Sequence, residues 1–246
     1  CAHDMAQVSA LFRAAQVIEF VKKPSLDEMI AKRVEFLSGY QDAEYAAQYR
    51  AYLAKVRAAE AALGGNSTKL SEAVARYLFK LMAYKDEYEV ARLHTDPAFT
   101  AKIDGMFEGD YKVVHHLAPP MTAKRNAKGE LVKQPFGPWM RTAFGVLARL
   151  KGLRGTAFDV FGRTEERKTE RALIGRYTAC IDELLRGLNA ERLSLATEIA
   201  RVPEEIRGYG HVKARHLEAA RGKWDRLMAQ WRTGAVAAEP TAKAAA

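Results

Sequence analysis

Cysteine is nearly missing from this chain: Cys1 and Cys180 are the two among 246 residues. Thiols so far apart make no Cys-x-x-Cys set and cannot supply the four thiolates of a four-iron cluster. Their scarcity suits a reducing compartment, and a cytoplasmic protein is expected. Long apolar runs are missing as well, so no segment reads as a membrane span. The start lacks a basic stretch followed by an apolar run and does not read as a signal peptide. Because it opens on Cys1 rather than Met, the chain is expected to be a fragment or a processed product. No Gly-rich phosphate loop ending in Lys-Ser/Thr, no Ser/His/Asp grouping and no internal repeat is visible along the sequence.

What is present is helical periodicity. Hydrophobic residues make up 48% of the chain, enough for a sizeable core, and the formal charge is +9. That charge suits an acidic partner, an anionic ligand or simply a solvated surface. Val8, Leu11, Phe12, Ala15, Ile18 and Val21 space a helix over residues 5–21. Pro24 stops it, and Ser25 with Glu28 forms a capping box for the next, with Met29, Ile30, Val34 and Leu37 inward and Gly39 at its end. Tyr45, Tyr49, Tyr52 and Val56 share one face of a third helix, as core or as a packing interface. Gly64-Gly65-Asn66-Ser67 reads as a linker. A long helix is expected over 70–93, in which Lys85 and Glu89 form an i, i+4 pair while the adjacent Asp86 and Glu87 diverge. Asp96-Pro97 starts a short helix that fades near Gly105 and Gly109.

Tyr111–Leu117 is short and β-branched, and Pro119-Pro120 ends it. Asn126–Gly129 reads as a turn between 121–125 and 130–133, a small hairpin. Helices follow over 138–150, from Thr164 to 188, from an Asn189 cap to just before Pro203, and over 211–231, with a Gly-rich crossing at 152–162. The tail after Gly234 is expected to be disordered. The expected fold is mainly α, a helical bundle with a small β-hairpin or short strands around residues 111–134.

The best local candidate for a site is Arg207-Gly-Tyr-Gly-His-Val-Lys213. Gly208 and Gly210 let backbone donors approach a ligand, the loop feeds a helix N-terminus, and Arg207, His211 and Lys213 add positive charge. A phosphate or carboxylate would fit; a tight helix connection with solvated charges is the competing reading. Lys124, Arg125, Lys128 and Lys133, continued by Arg149, Lys151 and Arg154, form a candidate basic docking surface for an acidic face. Nucleic acid is disfavoured, because the aromatic residues a single-strand binder interleaves are missing. His115 and His116 diverge on a strand and find no further ligand at useful spacing, and His211 and His216, five apart, are also poorly placed to chelate, so no metal site is expected.

Several phrases occur in order: Lys80-Leu-Met-Ala-Tyr-Lys-Asp-Glu-Tyr-Glu-Val-Ala-Arg92, His116-Leu-Ala-Pro-Pro120, Phe136-Gly-Pro-Trp139, Leu150-Lys-Gly-Leu-Arg-Gly-Thr156 and Glu205-Ile-Arg-Gly-Tyr-Gly-His-Val-Lys213. Together they resemble the C-terminal region of the bacterial indolepyruvate ferredoxin oxidoreductases, a 2-oxoacid:ferredoxin oxidoreductase family. Residues 1–63, with Ser25–Leu37 and Tyr45–Arg50, resemble the helical end of that family's gamma-type domain; residues 64–234 resemble its mostly helical C-terminal domain. The resemblance implies a parent enzyme that decarboxylates an aryl pyruvate oxidatively. Thiamine diphosphate with a divalent metal, iron–sulfur clusters and coenzyme A would be its cofactors, and ferredoxin its electron acceptor. The chain has no thiamine-type Gly-Asp-Gly motif and no cysteine set, so no catalytic residue carries over. The expectation is an accessory part that packs on the catalytic domains and helps to hold coenzyme A through the Arg207–Lys213 loop. The alternative is a stand-alone basic helical module that binds an acidic protein or nucleic acid.

Overall fold

The computed structural model describes residues 23–118, 126, 132–208 and 210–234. The expected helix over 5–21, the tail, Tyr209 and most of the 119–131 segment, with Lys124, Arg125 and Lys128, lie outside the described residues. Helix α1 spans Leu26–Tyr40 and opens on the capping box, with Glu28 N donating to Ser25 Oγ at 3.2 Å and Ser25 N to Glu28 Oε2 at 2.7 Å. Helix α2, Ala43–Ala61, is capped by Asp42. Its tyrosines turn inward. Tyr49 donates to Ala75 O at 2.8 Å, Tyr45 to Met82 O at 3.0 Å, and Tyr52 to Thr178 O and Asp182 Oδ1, each at 2.8 Å. The stripe is therefore an internal packing face whose hydroxyls find carbonyls.

Gly64 takes φ +77°, and helix α3 follows over Lys69–Met82. The turn is tied down by Glu60, whose buried carboxylate accepts from the amides of Leu70 (3.0 Å) and Ser71 (2.8 Å) and the Ser71 hydroxyl (2.6 Å). An anion at a helix N-terminus satisfies donors that the helix itself leaves open. Gly64-Gly65 is thus a fixed turn within one hydrophobic core, which α1, α2 and α3 share with three later helices. A division at residues 63/64 does not separate two cores.

The expected helix over 70–93 is two. The chain leaves helical geometry after Met82, and Asp86, extended at φ −106° and ψ −176°, caps α4, Glu87–His94, by accepting from Glu89 N at 2.8 Å. The Glu89 carboxylate goes to Arg92 at 2.8 Å, in place of the expected Lys85 pair. Helix α5, Pro97–Asp104, starts at the Asp96 cap with proline in its first turn. Strands β1, His115–Leu117, and β2, Gln134–Phe136, pair antiparallel with His116 opposite Pro135. The sequence placed the second arm of the hairpin at 130–133. Pro135 conceals the true one, and it is tolerated because in a two-stranded sheet both strands are edges.

Helix α6 spans Met140–Arg149, and single 3-10 turns follow at Leu150–Leu153 and Phe161–Arg163. Helix α7, Glu165–Arg186, is capped by Thr164. Helix α8 spans Leu193–Arg201; Asn189, expected as its cap, accepts from Arg192 N at 2.9 Å and so caps the turn before it. A 3-10 turn at Val202–Glu205 leads towards α9, Gly210–Thr233. The main core is closed by α1–α3 and α7–α9 around Leu53, Leu78, Tyr177, Ile181, Ile199 and Trp224. A small second cluster joins Ala91, Met140 and Phe144 to Leu117 and Phe136 of the hairpin. The mainly α fold with a two-stranded sheet is as expected.

Candidate functional site

The fold brings two of the distinctive phrases to one cleft. Lys80, Tyr84 and Lys85, at the end of α3 and just beyond it, face Arg207, Gly208 and Lys213 across a cavity of about 260 Å³. Lys80 Nζ donates to Pro203 O at 2.7 Å and Glu204 O at 3.2 Å, and so satisfies carbonyls of the 3-10 turn. Burial, then the nearby Arg207 and Lys213 charges, holds Lys80 below the ordinary lysine range. Lys213 is ion-paired with the buried Glu170 of α7. Arg207 remains exposed, with Nε on Glu204 O at 3.0 Å. Glu204 also accepts from Tyr77 Oη at 2.6 Å and Arg201 at 3.2 Å.

Gly208 is required twice over. Its φ is +88°, and a Cβ there would stand 2.8 Å from Val212 Cγ1. Gly210 opens α9 at φ +54°. His211 lies in α9, but its side chain is outside what is described; His216 Nδ1 meets Arg207 O at 2.8 Å. Of the predicted loop residues, Arg207, Gly208 and Lys213 thus line one cleft. Lys80 and Lys85 join them through a long-range contact that no local signal reveals. Lys213 mainly neutralises Glu170, which leaves Lys80, Lys85 and Arg207 as the cations of the cleft without a buried carboxylate partner. Such a cleft suits an anion.

Of the expected basic docking surface, Lys133, Arg149, Lys151 and Arg154 are described, and the last two turn inward. Lys133 and Arg149 are exposed. Lys151 turns back to donate to Gly39 O at 2.6 Å, and burial holds it below the ordinary lysine range. Arg154 is 8% exposed and lies inside the protein. Its Nε and Nη2 meet Asp86 at 2.6 and 3.0 Å, its Nη1 reaches Tyr40 O and Gln41 Oε1, each at 2.7 Å, and its guanidinium lies 3.7 Å from the Tyr40 ring centroid. A planar fork that satisfies a carboxylate bidentately while stacking on an aromatic ring is arginine's characteristic internal use. Next to it, Asp159 accepts from Gly155 N at 2.7 Å, Gly162 N at 2.8 Å and Tyr88 Oη at 3.2 Å. Burial, then Asp159, pushes Tyr88 up to about 12. These partners join the glycine-rich crossing to α1 and α4.

Among the described residues, no group of three or more His, Cys, Asp or Glu is placed to hold a metal ion. His115 packs its ring on Phe144 and His94 without a hydrogen bond, and His116 points the other way and is exposed. Cys180 is buried between Trp224 Nε1 at 3.0 Å and Met228 Sδ at 3.4 Å, and burial pushes its thiol up to about 11. No helix among the described residues is long and apolar enough to cross a membrane.

The surface is uneven in a second respect. Every large hydrophobic side chain left exposed among the described residues falls between Phe99 and Val160, including Phe107, Trp139 and Phe158. The segment that carries α5, the hairpin and α6 shows apolar surface, and the six-helix bundle does not.

Comparison with known proteins places this architecture. Residues 26–226 match a family described as "Family of unknown function (DUF6537)". The chain belongs to that family. The match runs across the Gly64-Gly65 turn and takes in the small second cluster and most of the main core. No curated protein and no solved structure matches the chain.

Proposed function

We propose that the chain is the C-terminal accessory part of a thiamine-dependent indolepyruvate (2-oxoacid) ferredoxin oxidoreductase, and that it packs on the catalytic domains of that enzyme. The resemblance of the ordered phrases suggests the parent. The observation that carries the packing role is that, among the described residues, the large hydrophobic side chains left exposed all fall within residues 99–160. Apolar surface gathered in one segment marks an interface with another domain or subunit. In this reading thiamine diphosphate, its divalent metal and the iron–sulfur clusters belong to the catalytic domains, and ferredoxin is reached through them. The chain's own residues do not fit a four-iron cluster, since Cys1 and Cys180 are its only thiols and Cys180 is buried among apolar groups. Coenzyme A is the one parent cofactor with a candidate place here, the cleft of Arg207, Lys80 and Lys85, whose cations suit its phosphates.

The test is electron transfer from indolepyruvate to ferredoxin by the parent enzyme without this segment, with and without the chain supplied in trans. Restored turnover, lost again with Phe107→Asp or Phe158→Asp, supports the reading. Full activity without the chain overturns it, and salt-sensitive binding to an acidic protein or nucleic acid would then favour an independent basic module. The coenzyme A role predicts that Arg207→Ala raises the coenzyme A requirement with the fold intact. An unchanged saturation curve removes it. Lys213→Ala is the poorer probe, because it strands the buried Glu170.

A further inference from the structure

A second cavity, of about 260 Å³, lies between α5, the irregular stretch 111–114 that leads into β1 and the start of α6. It is smaller than the roughly 300–1,000 Å³ typical of pockets for drug-sized ligands. Its walls are aromatic. Phe99 and Tyr111 are both exposed, and the His94 and His115 rings meet edge to face with centroids 5.1 Å apart. Phe144 backs both imidazoles, stacked on His94 at 5.1 Å and against the edge of His115 at 5.3 Å.

The rim is cationic. Arg141 reaches the Thr100 hydroxyl at 3.3 Å and has no carboxylate partner among the described residues. Lys112 is exposed and likewise unpaired among them. The carboxylate of the same rim, Asp104, accepts from Tyr111 Oη. His94 supplies a third feature. Its Nδ1 is buried with no hydrogen-bond partner. Burial, followed by repulsion from His115 and Lys85, holds the ring below the ordinary histidine range, so it is neutral at pH 7. An orphaned buried N–H is rarer than an orphaned acceptor, so the single proton belongs on Nε2. The ring that lines the cavity then carries one donor, for which the described residues supply no hydrogen-bond partner.

An aromatic wall, two cations without a carboxylate partner among the described residues and a neutral imidazole share one small cleft. We propose that this cleft binds a small aromatic carboxylate, its ring held between Phe99, Tyr111 and the paired histidines and its carboxylate on Arg141 and Lys112. Arg141 is the residue for the carboxylate, because a guanidinium fork matches it bidentately. The aromatic walls select a flat ring through offset and edge contacts that a puckered ring cannot make. The site stands on its own geometry and does not depend on the function proposed above.

The experiment follows the imidazole resonances of His94 and His115 by NMR while phenylacetate is added to the chain, with cyclohexylacetate and benzyl alcohol as comparison probes. The expected result is saturable shifts with phenylacetate, weaker binding of both comparison probes, and a loss of about tenfold or more in affinity with Arg141→Gln, as expected for a lost charge-assisted bond. Arg141 is exposed, so this variant keeps the fold, and unchanged amide spectra of the variant verify it. Shifts that do not saturate, equal affinity for cyclohexylacetate, or phenylacetate binding unaffected by Arg141→Gln would each overturn the proposal.

Discussion

Asp86→Ala tests whether the Arg154 joint holds the fold. Asp86 is 3% exposed and does two things: it pairs bidentately with Arg154 and caps α4. Removing one partner of a buried pair costs about 3–5 kcal/mol, because the remaining charge is stranded, and arginine cannot escape by losing its proton. Loss of an N-cap adds about 1 kcal/mol. We therefore expect about 4–6 kcal/mol of destabilisation. With a urea slope of about 2–3 kcal/mol per molar, the unfolding midpoint should fall by about 2 M. Asp86→Asn keeps a capping oxygen and should lie about 1 kcal/mol above Asp86→Ala. The double variant Asp86→Leu/Arg154→Met removes both charges and should regain most of the loss, since apolar replacement of a buried pair is often neutral or better. A midpoint within about 0.3 M of the parent for Asp86→Ala would refute the argument, as would a double variant no more stable than the single one. Either result would return Arg154 to the solvated surface where the sequence had put it.

Two further predictions rest on the same packing. Gly162→Ala should cost several kcal/mol, because its Cβ would stand 2.2 Å from Asp159 Oδ2, whereas Gly222→Ala, with nothing within 4 Å, should stabilise α9 by up to about 1 kcal/mol in thermal or urea unfolding. Burial raises Tyr40, Tyr45 and Tyr177 well above the ordinary tyrosine value and Tyr49 to about 12. Their folded-state values exceed the unfolded value of about 10, so their contribution is complete below that pH and is lost as pH rises above it. Urea midpoints should hold to about pH 10 and then fall steeply, and, the exposed Tyr111 aside, most tyrosinate absorbance at 295 nm should appear together with unfolding; tyrosinate that forms from the bulk of the tyrosines in the still-folded chain would contradict the internal stripe.

Much of the helical layout was legible because its signals are local. Ser25 with Glu28, Asp96 with Pro97, and Thr164 before two acids each mark a helix start within three or four residues, and each forms its bond where expected. The errors share one cause, a partner far along the chain. Both halves of 70–93 turn apolar residues inward, so periodicity cannot show the break. What fixes it is Asp86, 68 residues from Arg154. Pro135 carries no strand signal of its own, and only its pairing opposite His116 makes 134–136 a strand. Lys80 falls on the expected helix with nothing local to mark it, yet it donates to carbonyls 123 and 124 residues away. The aromatic cleft was illegible for the same reason. Its residues come from α4, α5, the approach to β1 and α6, and the sequence reading weighed only His115 among them, setting it aside as a metal ligand.

The distinctive phrases owe their chemical appearance largely to these joints. Lys80 closes the turn after α8, Asp86 and Arg154 fasten the glycine-rich crossing to α1, and Lys213 neutralises Glu170. A polar side chain whose hydrogen bonds are complete inside the protein is occupied by the fold, and removing it reports on stability first. A ligand must be met by groups that the fold leaves unsatisfied. By that criterion the most recognisable phrases are largely occupied by the fold. Arg207, exposed at the edge of a cleft shared with Lys80 and Lys85, keeps capacity for an anion. Arg141, Lys112 and the unpaired His94 keep capacity for a carboxylate beside an aromatic wall. The apolar side chains between Phe99 and Val160 keep capacity for another protein surface. The aromatic cleft shares that last segment through Phe99 and Tyr111, so a partner docked there would also cover the rim of the cleft. Binding of an aromatic carboxylate and docking are then coupled: whatever strength one takes from the other in solution, the second must take from the first by the same factor.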